Sequence, residues 1–202
     1  MTRSGSTKKA PRWQDHYTRR ARKEHYPARS VYKLAEIQKK HRILAKGDRV
    51  LDLGCAPGAW LLYAAEQVGG RGFVLGVDLN PVTVPLPNHV QAITGDIHCL
   101  QPTAAQYSGG GFQVVLSDMA PSTTGDPFGD AARSYALCCS ALGVADALLQ
   151  TKGRFVCKIF QGEDFKVFCD QVKVRFERMH IFKPQSSRKA SREIFIIGLG
   201  KK

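Results

Sequence analysis

The sequence lacks the residue patterns that mark metal sites and disulfide frameworks. Its six cysteines and six histidines include no Cys-x-x-Cys pair, no His-Glu-x-x-His motif and no zinc-type Cys/His spacing. We therefore expect reduced, mostly buried thiols and no bound metal.

Long hydrophobic segments are also missing. No apolar run approaches the roughly 20 residues that a membrane-spanning helix needs, and the polar start MTRSGSTKK lacks the apolar segment of a secretory signal. These absences predict a cytoplasmic protein without a membrane anchor, although the basic, Ser/Thr-bearing start leaves an organelle-targeting segment open. With 202 residues and no internal repeat, the chain fits one domain.

Negative charge is scarce at both ends of the chain. Residues 1–49 hold 15 Lys and Arg against 4 Asp and Glu, and residues 183–202 hold 6 against 1. Because the whole chain carries +13, the segment between them is slightly acidic at −3. Basic ends favour a phosphate-backbone partner, since each Lys or Arg that neutralises a phosphate releases condensed counterions. The alternative is a solvated tail that only raises solubility.

The periodicity predicts an α/β domain with a basic N-terminal extension. Residues 1–11 are expected to be disordered, residues 12–47 to form a helical extension, and residues 12–202 to make one domain. Strands are predicted at 49–53, 72–78, 89–93, 112–118, 154–160, 177–182 and 193–200, and helices at 58–68, 99–106, 130–150 and 163–175. Consecutive apolar positions indicate strands covered on both faces, as in a doubly wound, mostly parallel sheet. The last two strands should form an antiparallel hairpin.

Three loops that follow predicted strands could form a nucleoside site. The turn 54-GCAPGAW-60 offers Gly54 and Gly58 for close backbone approach, and a helix start with free N–H groups. Asp78 ends the second strand, where a carboxylate can bind both ribose hydroxyls, and Asp96 follows the third strand, where it could meet the adenine amine. Together these motifs are similar to the S-adenosylmethionine site of class I methyltransferases. A nicotinamide dinucleotide is the rival cofactor, but its G-x-G-x-x-G fingerprint is missing.

The segment 117-SDMAPSTTG-125 should lie at the crevice where open α/β sheets bind ligands. It lacks the Asp/Asn-Pro-Pro-aromatic motif of enzymes that methylate exocyclic amines. No cysteine stands where a cytosine carbon methyltransferase needs its nucleophile. Methylation of an oxygen remains, and it requires a base.

Five segments together resemble the FtsJ-type ribosomal RNA 2′-O-methyltransferases, over about residues 12–200. They are 29-RSVYKLAEI-37, 52-DLGCAPGAW-60, 117-SDMAP-121, 155-FVCKIFQGE-163 and 183-KPQSSRKASREIFI-196. The resemblance implies a Rossmann-like class I fold, S-adenosylmethionine as cofactor, and a catalytic tetrad that falls on Lys33, Asp118, Lys158 and Glu193. It implies cofactor contacts at Gly58, Trp60, Asp78, Asp96 and Asp118. One departure from the usual Ala-Ala-Pro-Gly-Gly, at Cys55, Ala56 and Ala59, keeps the residues small.

Lys158 is unusual because an isolated charge among apolar neighbours, as in 153-GRFVCKIFQG-162, is costly to bury. We interpret it as the base, or at least the group that orients the hydroxyl. Asp118 and Glu193 would fix its amine, and Lys33 would hold a substrate phosphate or tune the charge. Burial and a neighbouring cation lower the pKa of a lysine while carboxylates raise it, so its protonation state stays open. The alternative is an ordinary salt bridge between Lys158 and Asp118.

The resemblance also gives the basic ends a partner. The implied substrate is a uridine of large-subunit ribosomal RNA, in the ribosome or its assembling large subunit, and the enzyme would act as a monomer. The predicted RNA contacts are Arg19, Arg20, Arg29, Arg188, Lys189 and Arg192. Alternatives are a ribosome-assembly RNA-binding factor, a 2′-O-methyltransferase of transfer RNA, and an enzyme that methylates proteins or small molecules.

Overall fold

The computed structural model describes residues 12–99, 107, 109–188 and 190–202. The expected disorder of residues 1–11, most of the predicted helix 99–106 and the predicted RNA contact Lys189 lie outside the described residues. Among the described residues, no helix is both long and apolar enough to cross a membrane.

Five α-helices and seven β-strands are described, with a short 3-10 helix at Ile97–Cys99. The helices are α1 Arg12–Lys23, α2 Val31–His41, α3 Ala59–Val68, α4 Pro127–Leu148 and α5 Phe165–Arg175. The strands are β1 Arg49–Leu53, β2 Phe73–Asp78, β3 Val90–Thr94, β4 Phe112–Ser117, β5 Leu149–Phe160, β6 Phe176–Phe182 and β7 Glu193–Lys201.

All seven strands join one sheet in the order β3-β2-β1-β4-β5-β7-β6. Strands β1 to β5 pair in parallel, and β7 runs antiparallel between β5 and β6. The predicted α/β class with a C-terminal antiparallel hairpin is therefore confirmed. The strand order reverses between β1 and β4, so the ligand crevice of this fold lies outside their carboxyl ends.

Helices cover both faces of the sheet, which explains the uninterrupted apolar runs in the strands. Val50, Val114 and Val156 point toward the layer of α2 and α3. Their neighbours on the strands, among them Leu51 and Val115, point toward α4 and α5. Because side chains alternate along a strand, Asp52 and Lys158, each two residues beyond one of these valines, lie on the α2 side.

Most element boundaries lie within two residues of the sequence prediction, and the starts of α4 and β5 differ by more. Helix α4 begins at Pro127 because the Asp126 side chain caps it, accepting the N–H groups of Phe128 and Gly129. Strand β5 begins at Leu149 because Leu149 already pairs with Phe112, ahead of a register shift. All six cysteines are free thiols and four of them are buried, as expected.

Candidate active site

The carboxyl ends of β1, β2 and β4 converge on a cleft of about 490 Å³. Four of the predicted cofactor residues line it: Gly54, Asp78, Asp96 and Asp118. Gly54 has a φ of 77°, and a Cβ added there would come within 2.5 Å of the Met119 side chain. Only glycine fits this close turn without strain, so the backbone itself forms part of the cleft wall.

Gly58 and Trp60 are placed differently from the other cofactor predictions, because neither lines this cleft. Gly58 precedes α3 with a φ of 107°, and a Cβ there would meet Val84 at 2.9 Å. Trp60 is buried, packs its ring against Phe195 and donates its Nε1 hydrogen to the Ser30 carbonyl at 2.9 Å. In this structure Trp60 connects α3 to the start of α2.

Asp78 holds the glycine turn in place. Its Oδ2 accepts the Ala56 N–H at 3.0 Å, and its Oδ1 accepts the Asn80 N–H at 2.8 Å. The Asp78 carboxylate at the end of β2 therefore holds the loop after β1 against the loop after β2. Both loops form walls of the cleft.

Asp52 is a residue of this site that the sequence analysis did not single out. It is fully buried, and neither carboxyl oxygen has a hydrogen-bond partner among the described residues. Burial, and then the negative charges of Asp118 and Asp78, raise its pKa well above the ordinary value. The signal was present, since Asp52 is a lone carboxylate in the apolar strand 49-RVLDL-53. Such an excess of carboxylates suits a positively charged ligand.

The four predicted tetrad residues lie together beside this cleft. Lys33 Nζ is 2.9 Å from Glu193 Oε2 and 3.7 Å from Asp118 Oδ1. Lys158 Nζ is 3.0 Å from the same Asp118 oxygen and also donates to the Asp118 carbonyl. Two lysines and two carboxylates thus alternate in a largely buried chain from Glu193 to Lys158, with Asp118 shared between both lysines.

The two carboxylates of the tetrad differ in how their charges are held. Burial alone would raise the pKa of Glu193, but the charge and hydrogen bond of Lys33, with smaller contributions from Ser187 and Lys158, lower it below its ordinary value. Glu193 is therefore an anion at neutral pH. Asp118 Oδ1 accepts no aligned hydrogen bond from any described residue despite its near lysines.

Glu36 on α2 is a second residue that the sequence analysis missed. Its two carboxylate oxygens accept the backbone N–H groups of Gln185 and Ser186 at 2.6 and 2.9 Å. Arg29 adds a hydrogen bond from Nη2 to the Ser186 carbonyl at 2.6 Å. These contacts hold the linker before β7 against α2, which brings Glu193 to Lys33. Sequence spacing gave no sign of a pairing between residues 149 positions apart.

The predicted RNA contacts fall into two groups. Arg188 and Arg192 are exposed beside Glu193, and Arg19 is exposed on α1. Arg20 pairs with Glu24 and lies over the Tyr32 ring, and Arg29 is half-buried in the linker contact. Arg20 and Arg29 are thus held in contacts within the chain, and Arg192 of the first group also donates from Nη1 to the Pro127 carbonyl at 3.1 Å.

Comparisons with known proteins agree with this geometry. The profile of the FtsJ-like methyltransferase family matches residues 26–201. A Desulforapulum autotrophicum protein named Ribosomal RNA large subunit methyltransferase E is 57% identical over 203 residues, with 100% of both chains covered. A Desulfosudis oleivorans protein of the same name is 53% identical, covering 93% of this chain and 91% of the relative. A crystal structure of a candidate ribosomal RNA methyltransferase from Plasmodium falciparum superposes with a TM-score of 0.79 at 25% identity, over 87% and 98% of the two chains.

Proposed function

This chain belongs to the FtsJ-like methyltransferase family, and from that premise we propose that it methylates a ribose 2′-hydroxyl of large-subunit ribosomal RNA. S-adenosylmethionine is the proposed methyl donor and a uridine the proposed target. The arrangement of Lys33, Asp118, Lys158 and Glu193 beside an acidic cleft is the observation that carries the proposal. The names of the relatives support the choice of RNA.

The cleft suits S-adenosylmethionine because its carboxylates match the charge of that cofactor. Asp78 and Asp96 would bind the ribose and the adenine amine, while Asp118 would face the positively charged methionine part. Asp52 does not line the cleft, but its buried carboxyl is close enough to Asp118 and Asp78 for their charges to raise its pKa. The cofactor supplies an electrophilic methyl group on a sulfonium and leaves as a neutral thioether.

Lys158 is the proposed base. Its amine takes the proton from the 2′-hydroxyl, the hydroxyl oxygen forms a bond to the methyl carbon, and the carbon–sulfur electron pair stays on sulfur. The Asp118 carbonyl accepts a hydrogen bond from the Lys158 amine, and the Asp118 carboxylate lies 3.0 Å from it. Glu193 holds Lys33 at 2.9 Å, where Lys33 can meet the substrate phosphate. Alignment of oxygen, carbon and sulfur supplies the rest of the acceleration.

The basic ends are proposed to dock the RNA. Arg19, Arg188 and Arg192 would neutralise phosphates around the tetrad, with Lys189 as a further contact of the same linker. We propose that the protein acts as a monomer in the cytoplasm, on the large subunit or its precursor. A pure assembly factor would have no need of a base beside the cofactor cleft.

The deciding experiment supplies labelled S-adenosylmethionine to large ribosomal subunits from cells that lack this protein, and maps ribose methylation. We expect one new 2′-O-methylated uridine in large-subunit RNA. Binding to subunits without methyl transfer would instead indicate an assembly factor. Label that enters only transfer RNA, or only protein, would contradict the proposed substrate.

A further inference from the structure

A second cleft opens at the carboxyl edge of the sheet, on the far side of β5 from the cofactor cleft. It measures about 430 Å³, within the size range of ligand sites. Its walls include Phe128 from α4, Gln161, Glu163 and Asp164 from the loop after β5, and Arg192 from the linker before β7. Phe128 is 72% exposed, which is unusual for so large an apolar side chain.

The Phe128 ring stands on an ordered support. Asp126 caps α4 by accepting the Phe128 N–H at 3.1 Å. Arg192 Nη1 donates to the Pro127 carbonyl at 3.1 Å, which connects the linker to the helix start. Below the ring the two elements pack tightly, since a Cβ added at Gly162 would come within 2.6 Å of Ala131. The start of α4, which carries the Phe128 ring, is therefore held in place by hydrogen bonds and close packing.

This cleft adjoins the tetrad along the chain. Gln161 donates its N–H to the Arg192 carbonyl at 3.0 Å, and these residues lie three positions after Lys158 and one before Glu193. Three residues of extended strand span about 10 Å. That distance is about the rise of three stacked nucleotides. An RNA strand with its target ribose at Lys158 would thus bring a nearby nucleotide to Phe128.

The side chains that line the cleft suit the base of that nucleotide better than its phosphate. A phosphate in the cleft would meet the negative charges of Glu163 and Asp164, whereas the N–H edge of a base can donate to them. Gln161 can both donate to and accept from a base edge, and the Phe128 face can stack on it. The exposed Arg192 guanidinium at the rim remains suited to the adjoining phosphate.

We propose that this cleft binds an unpaired base of the RNA substrate, a few nucleotides from the methylated ribose, by stacking on Phe128. The inference rests on the proposed function, because it needs RNA at the tetrad. It assigns Phe128 and Gln161 to substrate recognition, a role outside the tetrad and the cofactor cleft.

The test compares Phe128→Ala with Phe128→Tyr, which keeps the aromatic face. Val174→Ala is the matched control, because Val174 is 71% exposed at the opposite end of α5. Affinities for isolated large-subunit RNA and for large subunits are measured, with the KM and kcat of methyl transfer. We expect Phe128→Ala to weaken RNA binding and to raise the KM for RNA, each by roughly 10-fold. This is the order of the loss expected when one base no longer stacks on an aromatic ring. Phe128→Tyr and Val174→Ala should keep the parental RNA affinity and KM. In all three variants, kcat and cofactor affinity should stay near the parental values.

The outcomes separate this proposal from the proposed function. Parental RNA affinity in Phe128→Ala, with methyl transfer intact, would overturn the base site and leave the function standing. A loss seen with subunits but not with isolated RNA would assign Phe128 to a protein contact and also overturn it. If parental protein binds isolated RNA too weakly to measure, 4-thiouridine crosslinking within large subunits decides, and no crosslink to the Phe128 peptide overturns the proposal. No binding and no methyl transfer by the parental protein would overturn both.

Discussion

The two halves of the carboxyl edge of the sheet differ in the charged side chains that they carry. The half formed by β1 to β4 presents the carboxylates Asp78, Asp96 and Asp118, with the fully buried Asp52 close enough to Asp78 and Asp118 for their charges to affect its pKa. The half formed by β5, β7 and the linker adds basic residues to its carboxylates, namely the buried Lys158 and the exposed Arg188 and Arg192 beside Glu163, Asp164 and Glu193. One sheet edge can thus bind a cationic cofactor and a polyanionic RNA side by side. Asp118 lies at the border and contacts both.

The halves also differ in how their charges are compensated. Lys158 and Lys33 each lie within 3.0 Å of a carboxylate oxygen, so the substrate half is organised before any ligand arrives. Asp52, in contrast, has no hydrogen-bond partner among the described residues. We infer that the cofactor half gains its counter-charge from the ligand. Substitutions should therefore affect the two halves separately, and Asp118 alone should affect both.

The largest expected effect comes from removing the proposed base in Lys158→Met. Methyl transfer under single-turnover conditions should fall by about 100-fold to 10,000-fold, the usual contribution of general acid–base catalysis. Cofactor and RNA affinities should change little, because each half binds its own ligand. Lys152→Met is the matched control, since Lys152 lies on the same strand but is largely exposed and pairs with Glu177.

A Lys158→Met protein that methylates at the parental rate would contradict the base role. If it instead lost cofactor affinity, the two halves would not be independent, and the charge comparison would need revision.

The next effect is expected from Asp52→Asn in the cofactor half. Loss of a charged contact of about 1.5–3 kcal/mol should weaken cofactor binding roughly 10-fold to 100-fold, as isothermal calorimetry can measure. Thermal stability without cofactor should rise. The folded-state pKa of Asp52 is raised, so its ionisation destabilises the fold increasingly as pH rises from the unfolded value of 3.8 through the folded value. The amide removes that penalty at neutral pH.

Asp170→Asn serves as the control, because Asp170 is exposed on α5 and pairs with Lys173. An Asp52→Asn protein with unchanged cofactor affinity would show that the buried carboxyl has no part in ligand binding.

The sequence predicted the strands, the hairpin and the clustering of the tetrad better than it predicted the supports of the site. Strands β1 to β5 were visible because buried parallel strands are apolar at consecutive positions, and the tetrad was visible through its family resemblance. Glu36 and Trp60 behave differently, since their partners are backbone groups distant in sequence. Contacts to a backbone carry no residue pattern, so only the folded chain reveals them.

A smaller effect, with a distinct pH dependence, is expected from Glu193→Gln in the substrate half. The pKa of Glu193 is lowered in the folded state, so its stabilisation is fully present above the unfolded value of 4.5 and is lost as pH falls through the lower folded value. Urea unfolding at pH 7 should show a loss of about 1–2 kcal/mol for the charged hydrogen bond. The parental and variant stabilities should converge in acid.

Glu177→Gln is the control for that series, because the Glu177 pair with Lys152 is exposed and worth little. A stability difference for Glu193→Gln that stays constant across this pH range would mean that the Lys33 contact is not the cause.

The smallest expected effect concerns RNA docking by the exposed linker. Each contact to a phosphate of single-stranded RNA that is removed should lower the slope of log affinity against log salt by about 0.7. Arg188→Ala should therefore reduce the salt slope of RNA binding by about that amount and leave cofactor affinity unchanged. Arg178→Ala is the control, because Arg178 is exposed on β6 beside Leu199, toward the opposite edge of the sheet. Equal slopes for both variants would show that positive charge acts through the whole surface, and the basic half of the carboxyl edge would then have no special share in RNA binding.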